Sequence, residues 1–188
     1  MQPPDFEATY AAEPDPWQVE SSWYERRKLS VLLASLPRER YLTGWEPGCG
    51  IGVATAALSD RVDALVASDG SETALRRARA RTSDRPSVDI VASSLPDVPL
   101  DGVVELVVAA EFLYYLEDLP AALQALWSAC APGGHLLVVH WAHHPHDAYR
   151  SGPETHEALL SDARRRQAAH LVHHRDEDFL LDVLEAPR

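Results

Sequence analysis

Residues Thr43 to Asp69 read TGWEPGCGIGVATAALSDRVDALVASD, and the rest of the chain is organised around them. A short apolar approach, Thr43 to Glu46, meets a glycine-dense turn, Gly48-Cys49-Gly50-Ile51-Gly52. A helical run follows from Val53 to Leu58. A second apolar strand, Ala64 to Ser68, ends in one carboxylate, Asp69, with Gly70 behind it. This strand–turn–helix–strand order with an acid at the second strand tip is nucleotide-site architecture. Glycine adopts positive φ without penalty and lets the backbone pass close to a ligand. An aspartate at that tip can accept charge-assisted hydrogen bonds from two ribose hydroxyls.

The spacing differs from a dinucleotide fingerprint. G-x-G-x-x-G places a pyrophosphate on a helix N-terminus. Here the pattern is E-x-G-x-G-x-G, from Glu46 through Gly48 and Gly50 to Gly52, so the third glycine arrives one residue early. The Glu46 carboxylate sits at the first strand tip, where it suits a cationic ligand and disfavours a pyrophosphate. S-adenosylmethionine carries a sulfonium, an ammonium and a ribose. With Glu46 before the glycines and Asp69 after them, the sequence resembles the class I S-adenosylmethionine-dependent methyltransferases. A NAD-dependent oxidoreductase on a similar sheet and a non-catalytic cofactor-binding module are the competing classes.

The chain has 188 residues and a formal net charge of -12. Its length fits one domain, residues 1–188, with an N-terminal arm and lid helix over 1–36 and a core over 40–188. The acidic balance argues against a nucleic-acid or anionic-membrane surface. It fits a small-molecule acceptor and says nothing of oligomeric state. Cys49 and Cys130 are the two cysteines and offer no disulfide framework. No basic, apolar leader opens the sequence and no apolar run of about 18 residues follows, so a cytoplasmic enzyme is expected.

Met1 to Glu20 is rich in proline and acid and reads as a mobile arm carrying Phe6, Tyr10 and Trp17. Ser22 and Glu25 have capping-box spacing ahead of a helix from about Trp23 to Ser35. Arg26 to Lys28 form either a solvated face or part of a lid. In the lid reading Trp17, Tyr24 and Arg27 meet the cofactor, one cation or the Tyr24 hydroxyl taking its carboxylate. Ser71 caps a helix whose Arg76, Arg77, Arg79 and Arg81 face water. A third strand, Val88 to Ala92, leads to Ser94 and Leu95. In the resembling family that loop often carries an acid for the adenine amino group, and Ser94 stands there here.

Val103 to Ala110 reads as a strand buried on both faces. Glu111 stands at its tip. Asp118 caps a helix to about Cys130, and Pro132-Gly133-Gly134 turns into a fifth strand, Leu136 to Trp141. His140 ends that strand and faces the site, or else packs beneath Trp141. Glu111 and His140 are the candidate general bases, with helix capping as the other role for Glu111. Tyr114, Tyr115 and Trp141 either wall the acceptor or pack. His143, His144 and His146 read as a solvated loop, and no metal is expected. Pro153 begins a helix to about Gln167, whose His156 faces acceptor or water. Ala169 to His174 and Phe179 to Leu184 alternate as strands, with His170 and His173 as ordinary strand residues.

Together these elements imply an α/β, Rossmann-like doubly wound, mostly parallel seven-stranded sheet with an antiparallel C-terminal strand pair. Beyond the glycine motif, the chain is similar to the NodS-like group of small methyltransferases. The pieces are DPW at Asp15 to Trp17, SWYERRK at Ser22 to Lys28, EPGCGIG at Glu46 to Gly52, EFLYYL at Glu111 to Leu116 and PGGHLLVVHW at Pro132 to Trp141. The resemblance implies S-adenosyl-L-methionine as cofactor. Cofactor contacts then fall to Glu46, Gly48, Cys49, Gly50, Gly52, Asp69, Gly70, Ser94, Leu95 and Glu111. It also implies an amine or amino-sugar acceptor, since the group's namesake methylates an amine of a deacetylated chitooligosaccharide.

Overall fold

The first strand, β1 (Tyr41–Pro47), pairs in parallel with β2 (Val62–Asp69) on one side and β4 (Val104–Ala110) on the other. A computed structural model describes residues 4–188. Its sheet has seven strands in the order β3-β2-β1-β4-β5-β7-β6. β3 spans Val88–Ala92, β5 Cys130–Trp141, β6 Ala169–Arg175 and β7 Phe179–Glu185. The first five strands are parallel; β7 runs antiparallel to β5, and β6 to β7. The chain order reverses beside β1, so the crevice for a ligand opens at the carboxyl ends of β1 and β4.

Alternation along β4 explains its apolar run. Leu106 and Val108 enter one core with α2 (Trp23–Ala34) and α3 (Val53–Leu58); Val107 and Ala109 enter the other with α5 (Leu119–Ala129) and α6 (Gly152–Arg166). A strand covered on both faces has no need of polar positions. Ser71 caps α4 (Glu72–Arg81) by accepting from the Ala74 amide at 3.1 Å, and Ala74, Leu75 and Ala78 are buried as their spacing requires. Ser22 caps α2, but the box is half made: the Glu25 carboxylate turns away to Lys28 at 2.8 Å. β5 begins six residues earlier than the sequence suggests, because the ladder with β4 shifts register between Val104 and Leu106 and absorbs Pro132 to Gly134.

The arm differs most from expectation. Its first three residues lie outside the described residues. Phe6–Ala12 forms a helix, α1, capped by Asp5. The Glu7 carboxylate accepts from the Ser71 hydroxyl at 2.6 Å, the Thr73 amide at 3.1 Å and the Thr73 hydroxyl. These bonds pull its pKa down to about 2. Arg77 donates to the Pro14 carbonyl at 2.9 Å, and Arg81 pairs with Glu20. Arg77 and Arg81 therefore do not simply face water; they fasten the arm to α4. Among the described residues, no helix is long and apolar enough to cross a membrane.

Candidate active site

A cavity of about 1010 Å3 lies at the carboxyl ends of β1, β2, β4 and β5, roofed by α1 and α2. Its floor is the glycine turn. Gly48, Gly50 and Gly52 have φ of 69°, 53° and 79°. Side chains other than glycine occupy that region at a cost of about 1–2 kcal/mol each. At Gly48 a Cβ would also stand 2.6 Å from the Phe112 ring, and at Gly50 2.6 Å from the Tyr10 hydroxyl. Gly48 and Gly50 line the cavity; Gly52 does not. Gly52 instead caps α3, with its α-carbon pressed towards the Ala78 backbone, where a Cβ would come within 2.9 Å. The expected ligand contact at Gly52 is thus corrected to a packing role.

Two carboxylates frame the turn. Asp69 accepts from the Gly50 amide at 2.9 Å through one oxygen and from the Ser71 amide at 2.9 Å through the other. Burial raises its pKa against those bonds. The Gly70 amide also bonds this carboxylate, which keeps acceptor capacity for a ligand. Glu46 is almost wholly buried, and its Oε2 accepts from the Thr55 hydroxyl at 2.6 Å. Among the described residues no donor reaches its Oε1. Burial pushes the Glu46 pKa up to about 8. An isolated buried carboxylate in a cavity wall is costly without a cation. The two carboxylate acceptors therefore fit a ligand with an ammonium or sulfonium beside a vicinal diol.

Lys28 is the decisive residue that the sequence reading did not single out. It is buried, donates to Glu25 and to Glu111, and sits 4.6 Å from the centre of the Tyr24 ring. Arg27, the expected cofactor contact, points elsewhere. It pairs with Asp176 and Asp178 and lies over the Phe179 ring, outside the cavity. On α2 one residue separates the two faces: position 28 turns to the cavity and position 27 to the β6–β7 hairpin. Tyr24 does line the cavity and donates to Glu111 at 3.3 Å.

Glu111 has a left-handed φ of 63° that aims it into the crevice. Four donors converge on its carboxylate: Lys28 and the Tyr24 hydroxyl on Oε1, the Tyr114 hydroxyl at 2.6 Å and the Trp141 amide at 2.9 Å on Oε2. An ionised carboxylate offers about four acceptor sites. Glu111 lines the cavity, and through these bonds it ties α2, β5 and the 3₁₀ turn Leu113–Tyr115 together.

The expectation for His140 is corrected. It is completely buried and outside the cavity lining. Its Nε2 accepts from the Leu113 amide at 3.2 Å and its Nδ1 faces His156 Nε2 at 3.2 Å. Burial, then the neighbouring His156 and Lys28, hold its pKa well below the usual histidine value. His156, expected at acceptor or water, is buried and bonded to Asp182.

The remaining expected residues meet at the cavity. Trp17, Cys49, Gly70, Ser94 and Leu95 line it, as do Tyr114, Tyr115 and Trp141. The Cys49 thiol is driven well up by burial, then by Glu46 and Asp69, which makes it inert packing. Tyr115 meets the edge of Phe6 at 5.3 Å between ring centroids, and Trp17 meets Tyr10 at 5.4 Å, so α1 closes one wall. His144 and His146 border the mouth; His143 meets Trp141 edge to face, with ring centroids 4.8 Å apart.

Comparison with known proteins agrees with this geometry. A family model described as a methyltransferase domain matches residues 45–138. Nodulation protein S of Rhizobium tropici is 32% identical over 130 residues, covering 67% of this chain and 55% of that protein. Nodulation protein S of Sinorhizobium fredii is 31% identical over 131 residues, covering 68% and 60%. The chain thus spans a little over half the length of these two relatives. Among solved structures, a putative methyltransferase from Pseudomonas syringae is 37% identical with a TM-score of 0.75, covering 87% of this chain and 99% of that one. The N-methyltransferase NodS from Bradyrhizobium japonicum WM9, solved with S-adenosyl-L-homocysteine, is 25% identical with a TM-score of 0.82 and covers 97% of each. The chain belongs to the methyltransferase domain family, within its NodS-like class I group.

Proposed function

We propose that this chain transfers a methyl group from S-adenosylmethionine to a small amine. The observation that carries the reading is Glu46, a carboxylate buried at the cavity floor with Thr55, among the described residues, as its one hydrogen-bond donor. Glu46 receives the cofactor's ammonium, Asp69 its ribose hydroxyls, and Lys28 its carboxylate. Ser94 and Leu95 border the base. When bound, the cofactor supplies an electrophilic methyl carbon. The protein contributes position and dryness, which are worth several kcal/mol in a displacement that needs little other help.

The arm, with α1, and helix α2, up to Leu36, act as a lid. Phe6, Tyr10 and Trp17 exclude water over the glycine turn, and Glu7 and Arg77 latch the arm to α4. The acceptor lies against Tyr114, Tyr115 and Trp141. Aromatic faces beside Glu25, Glu111 and Asp147 favour a cationic amine product. The acceptor arrives neutral, and its proton leaves to solvent at the mouth, since Glu111 and His140 are both engaged elsewhere. Support for nitrogen over oxygen comes from this acidic, aromatic wall and from the likeness to an N-methyltransferase.

Acceptor profiling with labelled cofactor tests the reading. Methylated product is expected on at least one amine or amino sugar, with little on matched carboxylates and alcohols. Glu111→Gln should lower turnover about 10-fold or more by loosening the wall, as misplaced groups do, while cofactor affinity changes less. Label transferred to carboxylates or alcohols alone would overturn the amine assignment.

A further inference from the structure

We infer that the β6–β7 edge of the sheet carries a second site, for a divalent transition-metal ion of the zinc class, formed by His170, His173 and Asp182. The sequence spacing alone would not build it. Residues three apart on a regular strand face opposite sides. β6 breaks register between His170 and Val172, and this bulge turns both rings to the same face. His170 Nε2 and His173 Nδ1 each lie 2.7 Å from Asp182 Oδ1, with the rings perpendicular at 89°. The three ligand atoms lie within 4.8 Å of one another.

The support behind the site is as important as its ligands. Asp182 is fully buried on β7, and its other oxygen is held by His156 Nδ1 and, at 3.4 Å, by Arg175. Oδ2 is thereby tied and Oδ1 presented, the kind of outer support that orients metal ligands. The two histidines are 35% and 48% exposed, so an ion has a path in and water can complete its shell.

Two imidazoles and one carboxylate suit zinc, cobalt or nickel; calcium and magnesium prefer oxygen alone. Bonds of about 2.0–2.2 Å in a tetrahedral site place neighbouring ligand atoms about 3.3 Å apart. The rings then move outward by about 0.6 Å, within the reach of edge-strand side chains. Each neutral ring frees its bonding nitrogen by moving the proton to its other nitrogen, so no group is oxidised and no proton is lost. None of the three residues lines the cavity, so the ion clamps the hairpin and does not meet the acceptor.

Equilibrium dialysis of the full chain against Zn2+, with elemental analysis, tests the site. One saturable equivalent is expected in the parent and in a variant with His143, His144 and His146 replaced by alanine. His170→Ala and His173→Ala, checked for folding by circular dichroism, should each weaken it ten-fold or more. Retention of full affinity in both edge variants, loss in the loop variant instead, or no saturable equivalent in the parent would each overturn the assignment.

Discussion

Glu46→Gln should stabilise the ligand-free protein at pH 9 and weaken its hold on S-adenosyl-L-homocysteine. Burial lifts the Glu46 carboxyl from 4.5 to about 8, so folding takes up a proton between those values. The native state binds more protons than the unfolded one there, and stability falls as pH rises. The contribution is full below pH 4.5 and is lost by about pH 8. A raised carboxyl of this size costs about 3–5 kcal/mol at pH 9. Glutamine removes that cost and still accepts from Thr55. It cannot neutralise an ammonium, so affinity should fall about ten-fold or more, the loss of one charge-assisted bond of ~1.5–3 kcal/mol. Thermal denaturation at pH 5 and pH 9 with calorimetric titration reads both effects. A variant less stable than the parent at pH 9, or one that binds the ligand equally well, would remove Glu46 from the site.

Lys28→Met should act in the opposite sense. Lys28 is buried between Glu25 and Glu111, and methionine keeps its volume but leaves two carboxylates without their cation. Removing one partner of a buried pair costs about 3–5 kcal/mol. For a chain of this size that lowers Tm by roughly 6–20 °C at pH 7. Burial raises the Glu25 pKa even with Lys28 present, so the free carboxylate takes up a proton readily. The deficit should therefore shrink towards pH 5. Equal Tm for parent and variant at pH 7 would mean that the triad contributes no stability.

The sheet was legible because β4, Glu105 apart, is apolar along its length, as burial on both faces allows, while the alternation expected of β7 is absent, for that strand is buried from Phe179 to Leu184 and only the edge strand β6 is largely exposed. The cofactor floor was legible because glycines at fixed spacing, followed by one acid at a strand tip, suit little besides holding a nucleoside. The residues misjudged share a cause: their roles depend on side-chain direction, which position along the chain does not give. His140 does end β5, but an alternating strand sends position 141 to the cavity and position 140 into the core. Arg27 and Lys28 are adjacent, yet 100° of helix rotation sends one to Asp176 and the other to Glu111. Helix α1 is seven residues long, too short to persist alone, and exists through Glu7 and Tyr10 packed on the core. Asp5 before Phe6 and Glu7 was its one local signal. The bulge that unites His170 and His173 left no mark in composition.

Calorimetric titration of parent and Asp69→Asn with S-adenosyl-L-homocysteine tests the central assignment most directly. Asp69 stands between the Gly50 and Ser71 amides, at the point where the glycine turn and β2 meet. Asparagine keeps its shape and surrenders its charge. One saturable site in the parent, weakened about ten-fold or more in a variant that circular dichroism shows folded, is the expected result. No binding by the parent, or the same affinity in both proteins, would contradict it.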